Sequence, residues 1–164
     1  MNEDVGSTYF GFFIDLDLAI KEDRTQPSGL LGRTGTWAFM AIGVLLFNQK
    51  HSYMHDMESF FGLLFWICIH FKGPNQSIGP TDYDSWNFDP SEKLGMLKTA
   101  VISSEDMFLW TAERDFTLYY KPLNPCLNKM REKILPGDTN WKVENPKLFS
   151  ELQKILKTAQ GELK

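Results

Sequence analysis

Cysteine is scarce in this sequence: Cys68 and Cys126 are the only two. They lie far apart and lack ligand spacing, which excludes a disulfide framework or a zinc ribbon. Cys68 falls inside an apolar run and reads as a buried thiol of a reducing compartment. Charge of one sign is also lacking. Lys and Arg number 17 against 21 Asp and Glu, interspersed, for a net charge of −4, so no nucleic-acid footprint is present. No apolar stretch reaches the roughly 20 residues that a membrane span needs. The opening MNEDVGSTYF is acidic ahead of its short apolar run, the wrong order for a secretory signal. Together these absences predict an intracellular protein, cytoplasmic or nuclear, with neither membrane nor nucleic acid as partner.

What the chain does have is apolar and aromatic surface. Its 164 residues are 43% apolar and 14% aromatic, enough for one domain with a packed core. The stretch around which the rest is organised is HSYMHDMESFFGLLFWICIHF, residues 51–71. From Phe60 to Ile69 it is apolar at nearly every position, so it reads as the buried central helix of a mainly α domain. Asp56 and Ser59 sit three apart on one face of its first turn. An acid entering the core there has to satisfy its oxygens, most simply from the backbone N–H groups of a neighbouring loop. The plainer reading is an acid favourable to the helix dipole.

Upstream, Tyr9–Ile14 is short and aromatic and reads as a strand ending in Asp15-Leu16-Asp17. A strand is a stiff mount for an acid aimed at a metal ion, and magnesium takes one or two carboxylates plus phosphate oxygens. The same acid equally well terminates a strand and caps the next turn. Residues 21–33 form a polar loop with Pro27, Gly29 and Gly32; Thr25 and Ser28 within it and Thr34 just after it are phosphorylatable, near Lys21, Arg24 and Arg33. Thr34-Gly35-Thr36 follows, and then Ala38–Phe47, a second apolar run that packs as a short helix. His51 and His55 stand at i and i+4, but no third zinc ligand lies at motif spacing.

Residues 72–86 read as a long loop. Asp89-Pro90-Ser91-Glu92 predicts a helix start with Asp89 as N-cap, running to about Ile102. Ser103-Ser104-Glu105-Asp106 opens another helix, to Arg114. Leu123, Leu127, Met130 and Ile134 recur at helical spacing up to Pro136-Gly137. Asn145-Pro146 begins a last helix with Leu148, Phe149, Leu152, Ile155 and Leu156 on one face and a stop near Gly161.

Three of these pieces, in this order and spacing, resemble fungal-type protein kinases. GFFIDLDLAI is similar to the strand and metal-binding motif, with Asp17 where Asp-Phe-Gly has its glycine. Thr34-Gly35-Thr36-Trp37-Ala38-Phe39-Met40-Ala41 resembles the end of an activation segment. His55-Asp56-Met57-Glu58-Ser59 resembles the Asp-x-x-Ser turn that opens the central helix of the C-terminal lobe, with an echo of the casein kinases. Trp86 onward, through KLGMLKTAVIS and DFTLYYKPLNPCLNKMREKILPG, resembles the tail of the domain. The likeness covers about residues 9–138 and leaves 139–164 as an extension with one helix.

The resemblance implies a truncated kinase-like C-terminal lobe with a short N-terminal β segment. It gives Asp15 the magnesium and nucleotide contact, Asp17 a weaker metal role, and Thr36 the activation-segment threonine. Asp56 and Ser59 become structural, with Asp56 accepting from the backbone of the catalytic loop. Ile42-Gly43 stand where Pro-Glu is usual, so the ion pair of that glutamate with a late arginine is absent or built differently. ATP and Mg2+ are the cofactors of the intact family, and protein Ser/Thr its substrate. The glycine-rich loop, the strand lysine and the catalytic loop are missing from these 164 residues. The expectation is therefore a chain inactive by itself, binding neither cofactor usefully. The alternative is a pseudokinase-like interaction module that binds a substrate or partner kinase. Surface bared by the truncation predicts self-association.

Overall fold

The computed structural model of the protein describes residues 36–135 and 144–162. The strand expected at Tyr9–Ile14 and the polar loop 21–33 lie outside them. The described residues are mainly α, in six α-helices: α1 (Ile42–Phe47), α2 (Tyr53–His70), α3 (Ser91–Ile102), α4 (Glu105–Asp115), α5 (Asn124–Ile134) and α6 (Leu148–Glu162). Among them β pairing is limited to one isolated bridge, Phe71 with Ser77. No helix among the described residues is long and apolar enough to cross a membrane.

Local chemistry sets the helix ends. Ser52 caps α2 in extended backbone, and its N–H donates to His55 Nδ1 at 3.0 Å. Ser104 caps α4 by accepting from Met107 N at 3.3 Å. The cap expected at Asp89 is not made. Pro90 occupies the cap position of α3, and the Asp89 carboxylate instead pairs with Lys93 at 2.6 Å, one turn on. The apolar run from Ala38 is not one helix either. Trp37–Phe39 is a 3-10 turn, Met40 and Ala41 are extended, and α1 begins only at Ile42.

Helix α2 is the axis. Among its buried residues, Met54, Glu58, Phe61, Phe65 and Cys68 recur every three or four positions, the signature of one inward face. Phe65 is the hub of an aromatic cluster: it stacks on Trp86 at 6.1 Å and meets Tyr83 and Phe116 edge-on, each at 5.7 Å. Such pairs add about 0.5–1.5 kcal/mol each beyond their area. The loop 72–86 is thus less open than its composition suggests. It ends in a 3-10 turn, Asp82–Asn87, that delivers Tyr83 and Trp86 into the core. Tyr83 Oη donates to Asp115 Oδ2 at 2.6 Å, which ties the loop to the end of α4.

Around this axis α1 packs on α3, and α5 packs on α2, α4 and α6. Gly95 permits the first contact, since a Cβ there would stand 2.5 Å from Leu46. Arg131 is buried between α3 and α5, donating to Ile102 O at 3.3 Å and Asn128 Oδ1 at 3.0 Å. In α6, Leu148 and Leu152 are buried, while Phe149 is 58% exposed, so the apolar face expected there is narrower by that one ring.

Candidate functional site

The segment Thr36–Ile42, which leads into α1, is tied to three other places in the chain, twice through its backbone and once through the Trp37 side chain. Trp37 Nε1 donates to Asp89 O at 2.7 Å. Lys98, from α3, donates to Met40 O at 2.5 Å and Ala38 O at 3.3 Å. Glu58, from α2, accepts from Ile42 N at 2.7 Å. The 3-10 turn and the start of α1 satisfy some of its backbone groups, and Lys98 and Glu58 satisfy Ala38 O, Met40 O and Ile42 N. The result is a clamp that fixes the extended step at Met40 and Ala41 against the central helix.

The clamp is built from two buried charges. Lys98 is 3% and Glu58 6% exposed, and both line a cavity of about 10 Å3, near the smallest that holds a water molecule. Burial pushes the Lys98 ammonium down to about 8, with Glu58 pulling the other way. Burial likewise raises the Glu58 carboxyl above its ordinary range, against the opposing effects of Lys98 and the Ile42 N–H. Each charge is therefore sustained by the other and by the backbone groups it bonds. An acid from α2 and a lysine from α3 thus hold the segment that leads into α1.

The first turn of α2 departs from expectation. Asp56 does not enter the core. Its side chain is 59% exposed and meets His51 Nε2 at 3.2 Å, and Ser59 is half-buried. The reason is rotational. Asp56 lies about half a turn round the helix from Glu58, Phe61 and Phe65, and those residues define the inward face. The acid that does enter is Glu58. The hydrogen bond to Asp56 raises the His51 pKa and outweighs burial. Both replacements had a sequence signal: Glu58 is in register with Phe61 and Phe65, and Lys98 stands four residues from both Leu94 and Ile102.

Phe60 and Leu63, each on the Asp56 side of α2, remain 39% and 38% exposed. The central helix is thus not buried all round. Thr36 is exposed at the start of the clamped segment. Asp15, Asp17, Thr25, Ser28, Thr34, Lys21, Arg24 and Arg33 lie outside the described residues. Among the described residues no group of three or more His, Cys, Asp and Glu is placed to hold a metal ion. A separate hollow of about 380 Å3 between α5 and α6, lined by Pro122, Cys126, Lys129 and Ile155 among others, shares no residue with the clamp.

The sequence model of the fungal protein kinase family matches residues 1–68. The matched stretch ends within α2. It therefore takes in the clamped segment, α1 and the acidic first turn, the part that the sequence motifs had singled out. No curated protein and no solved structure matches the chain. The likeness noted from Trp86 to Gly137 lies outside the matched residues. Within the fungal kinase match, Glu58 supplies one half of the clamp, and Lys98, beyond it, supplies the other.

Proposed function

We propose that this chain is the C-terminal-lobe portion of a fungal-type protein kinase domain and that by itself it has little or no phosphotransferase activity. The family match over residues 1–68 carries this reading. In the intact family the γ-phosphate of ATP passes to a protein Ser or Thr. Asp15 would hold magnesium against the nucleotide phosphates, with Asp17 in a lesser role, and Thr36 would sit beside the substrate hydroxyl. Phosphoryl transfer rests on positioning and charge stabilisation. One acid cannot replace a glycine-rich loop, a lysine and a catalytic loop, and each tenfold loss of rate is about 1.4 kcal/mol.

The open side of α2 supports the same reading. Asp56, Phe60 and Leu63 share a face that a catalytic loop would cover, with Asp56 accepting from its backbone. That exposed apolar face also favours a second reading, a non-catalytic module that binds a partner kinase or substrate. Calorimetry with Mg–ATP distinguishes them, run on the chain alone and on the chain joined to its upstream coding sequence. The expected result is no micromolar affinity alone, affinity when joined, and loss again in Asp15→Ala. Micromolar binding by the chain alone would overturn the proposal. A joined protein that binds partner but no nucleotide would favour the module.

A further inference from the structure

We propose that His55 is a proton-operated latch between α1 and α2, which holds Ser52 and Gln49 together when neutral and lets both go when protonated. The ring bridges a fixed donor, the Ser52 N–H, and the side-chain amide of Gln49. Ser52 N–H points at Nδ1 from 3.0 Å, so Nδ1 is an acceptor and carries no proton. Nε2 then carries the hydrogen and donates to Gln49 Oε1 at 3.1 Å. One tautomer satisfies both bonds. A second proton has to go on Nδ1, where it faces the Ser52 N–H donor; the acceptor it can turn to is the Ser52 Oγ, 3.3 Å away. The Ser52 N–H bond is then lost, and the turn of the ring toward Oγ draws Nε2 away from Gln49.

What is released is the short connection that carries α1. With six residues, α1 cannot stand alone. It closes at Asn48 in left-handed backbone (φ 48°, ψ 37°), with Gln49 N donating to Gly43 O at 3.1 Å. The Gln49 amide fills the space above Gly43, where a Cβ would come within 3.0 Å of His55 Nε2 as well. The titratable groups that face His55 are His51 from the connection and Asp56 from its own helix. His51 lies with ring centroids 5.8 Å away and is paired with Asp56. Gly43 and Gln49, on the α1 side, carry no charge. Burial, then His51, disfavours the second proton, with Asp56 opposing. The latch is therefore closed at neutral pH and opens below the ordinary histidine value, roughly 6.5.

The test is a pH series of nitrogen-15 spectra on the whole chain. The expected result is an Nε2–H tautomer for His55 at neutral pH. On acidification the Ser52 amide and the Gln49 side-chain amide move together, with a midpoint below that of His51. In His55→Gln, which keeps an acceptor at the third helical position, that step is lost while the Ser52 amide stays bonded. An Nδ1–H tautomer in the unmodified protein at neutral pH would overturn the latch. So would Ser52 and Gln49 shifts that follow the His51 midpoint or persist in His55→Gln.

Discussion

At the scale of single residues, the buried pair Glu58 and Lys98 is the feature most exposed to test. Lys98→Met leaves the Glu58 charge without a counter-charge and takes the donor from Ala38 O and Met40 O. Leaving a buried polar group without its partner costs about 1–3 kcal/mol, more where it is charged. Glu58→Gln in the same background restores part of this, with a coupling of about 0.5–3 kcal/mol in a denaturation cycle. Strict additivity would mean that the two do not interact. The Lys98 pKa is lower in the fold than in the unfolded chain, so the unfolded state binds more protons between the two values. Stability should then rise with pH through that window in the unmodified protein and stay flatter in Lys98→Met.

Asp115 has the opposite sign. Burial works against its charge, yet Arg114 and Tyr83 hold its carboxyl below the ordinary range. Its contribution is present above the unfolded value, about 3.9, and is lost as pH falls below it. The stability gap between the unmodified protein and Asp115→Asn should narrow on acidification, measured by urea titration from pH 5 to 2. A gap constant across that range would show that the carboxylate is not the stabilising form. Asp56→Ala, by contrast, removes only an exposed pair and should change stability by no more than about 0.5 kcal/mol. A loss of several kcal/mol would mean that Asp56 is buried in solution.

At the scale of elements, packing and not propensity keeps α6 in place. Its N-terminal residues Leu148 and Leu152 are buried at 0% and 2%, and its main partner is α5. Leu152→Ala should cost about 2–5 kcal/mol, whereas Phe149→Ala, on an exposed ring, should be close to neutral. Equal losses for the two in thermal melts would contradict the orientation of the helix. The difference at Phe149 also shows what periodicity leaves out. Five apolar residues at helical spacing define a wide stripe, but packing, chiefly against α5, leaves Phe149 uncovered.

At the scale of the whole molecule, the open face of α2 is the main liability. Phe60 and Leu63 stay over a third exposed on a helix whose other side is core, and exposed apolar patches mark binding or association sites. The chain alone should self-associate at micromolar concentration and bind ANS. Phe60→Ser with Leu63→Lys should reduce both signals in sedimentation and fluorescence. A dye-silent monomer before any substitution would rule this out.

The sequence by itself determined the helix order, the central role of residues 53–70 and the starts of α4 and α6. These are decided within a few neighbouring residues, by apolar spacing and by capping side chains. It also carried the fungal kinase likeness, because motif order needs no coordinates. Tertiary structure decided which acid enters the core, although the register of Glu58 with Phe61 and Phe65 already hinted at it. Asp56 and Glu58 are two residues apart and chemically alike, and only the rotation of α2 against its neighbours separates them by about half a turn. The same holds for Lys98, whose partners Ala38 and Met40 lie some sixty positions away, and for Tyr83 and Trp86, polar-loop residues by composition that Phe65 draws inward. Distance along the chain hides such pairings, because burial free energy depends on what surrounds a side chain in space.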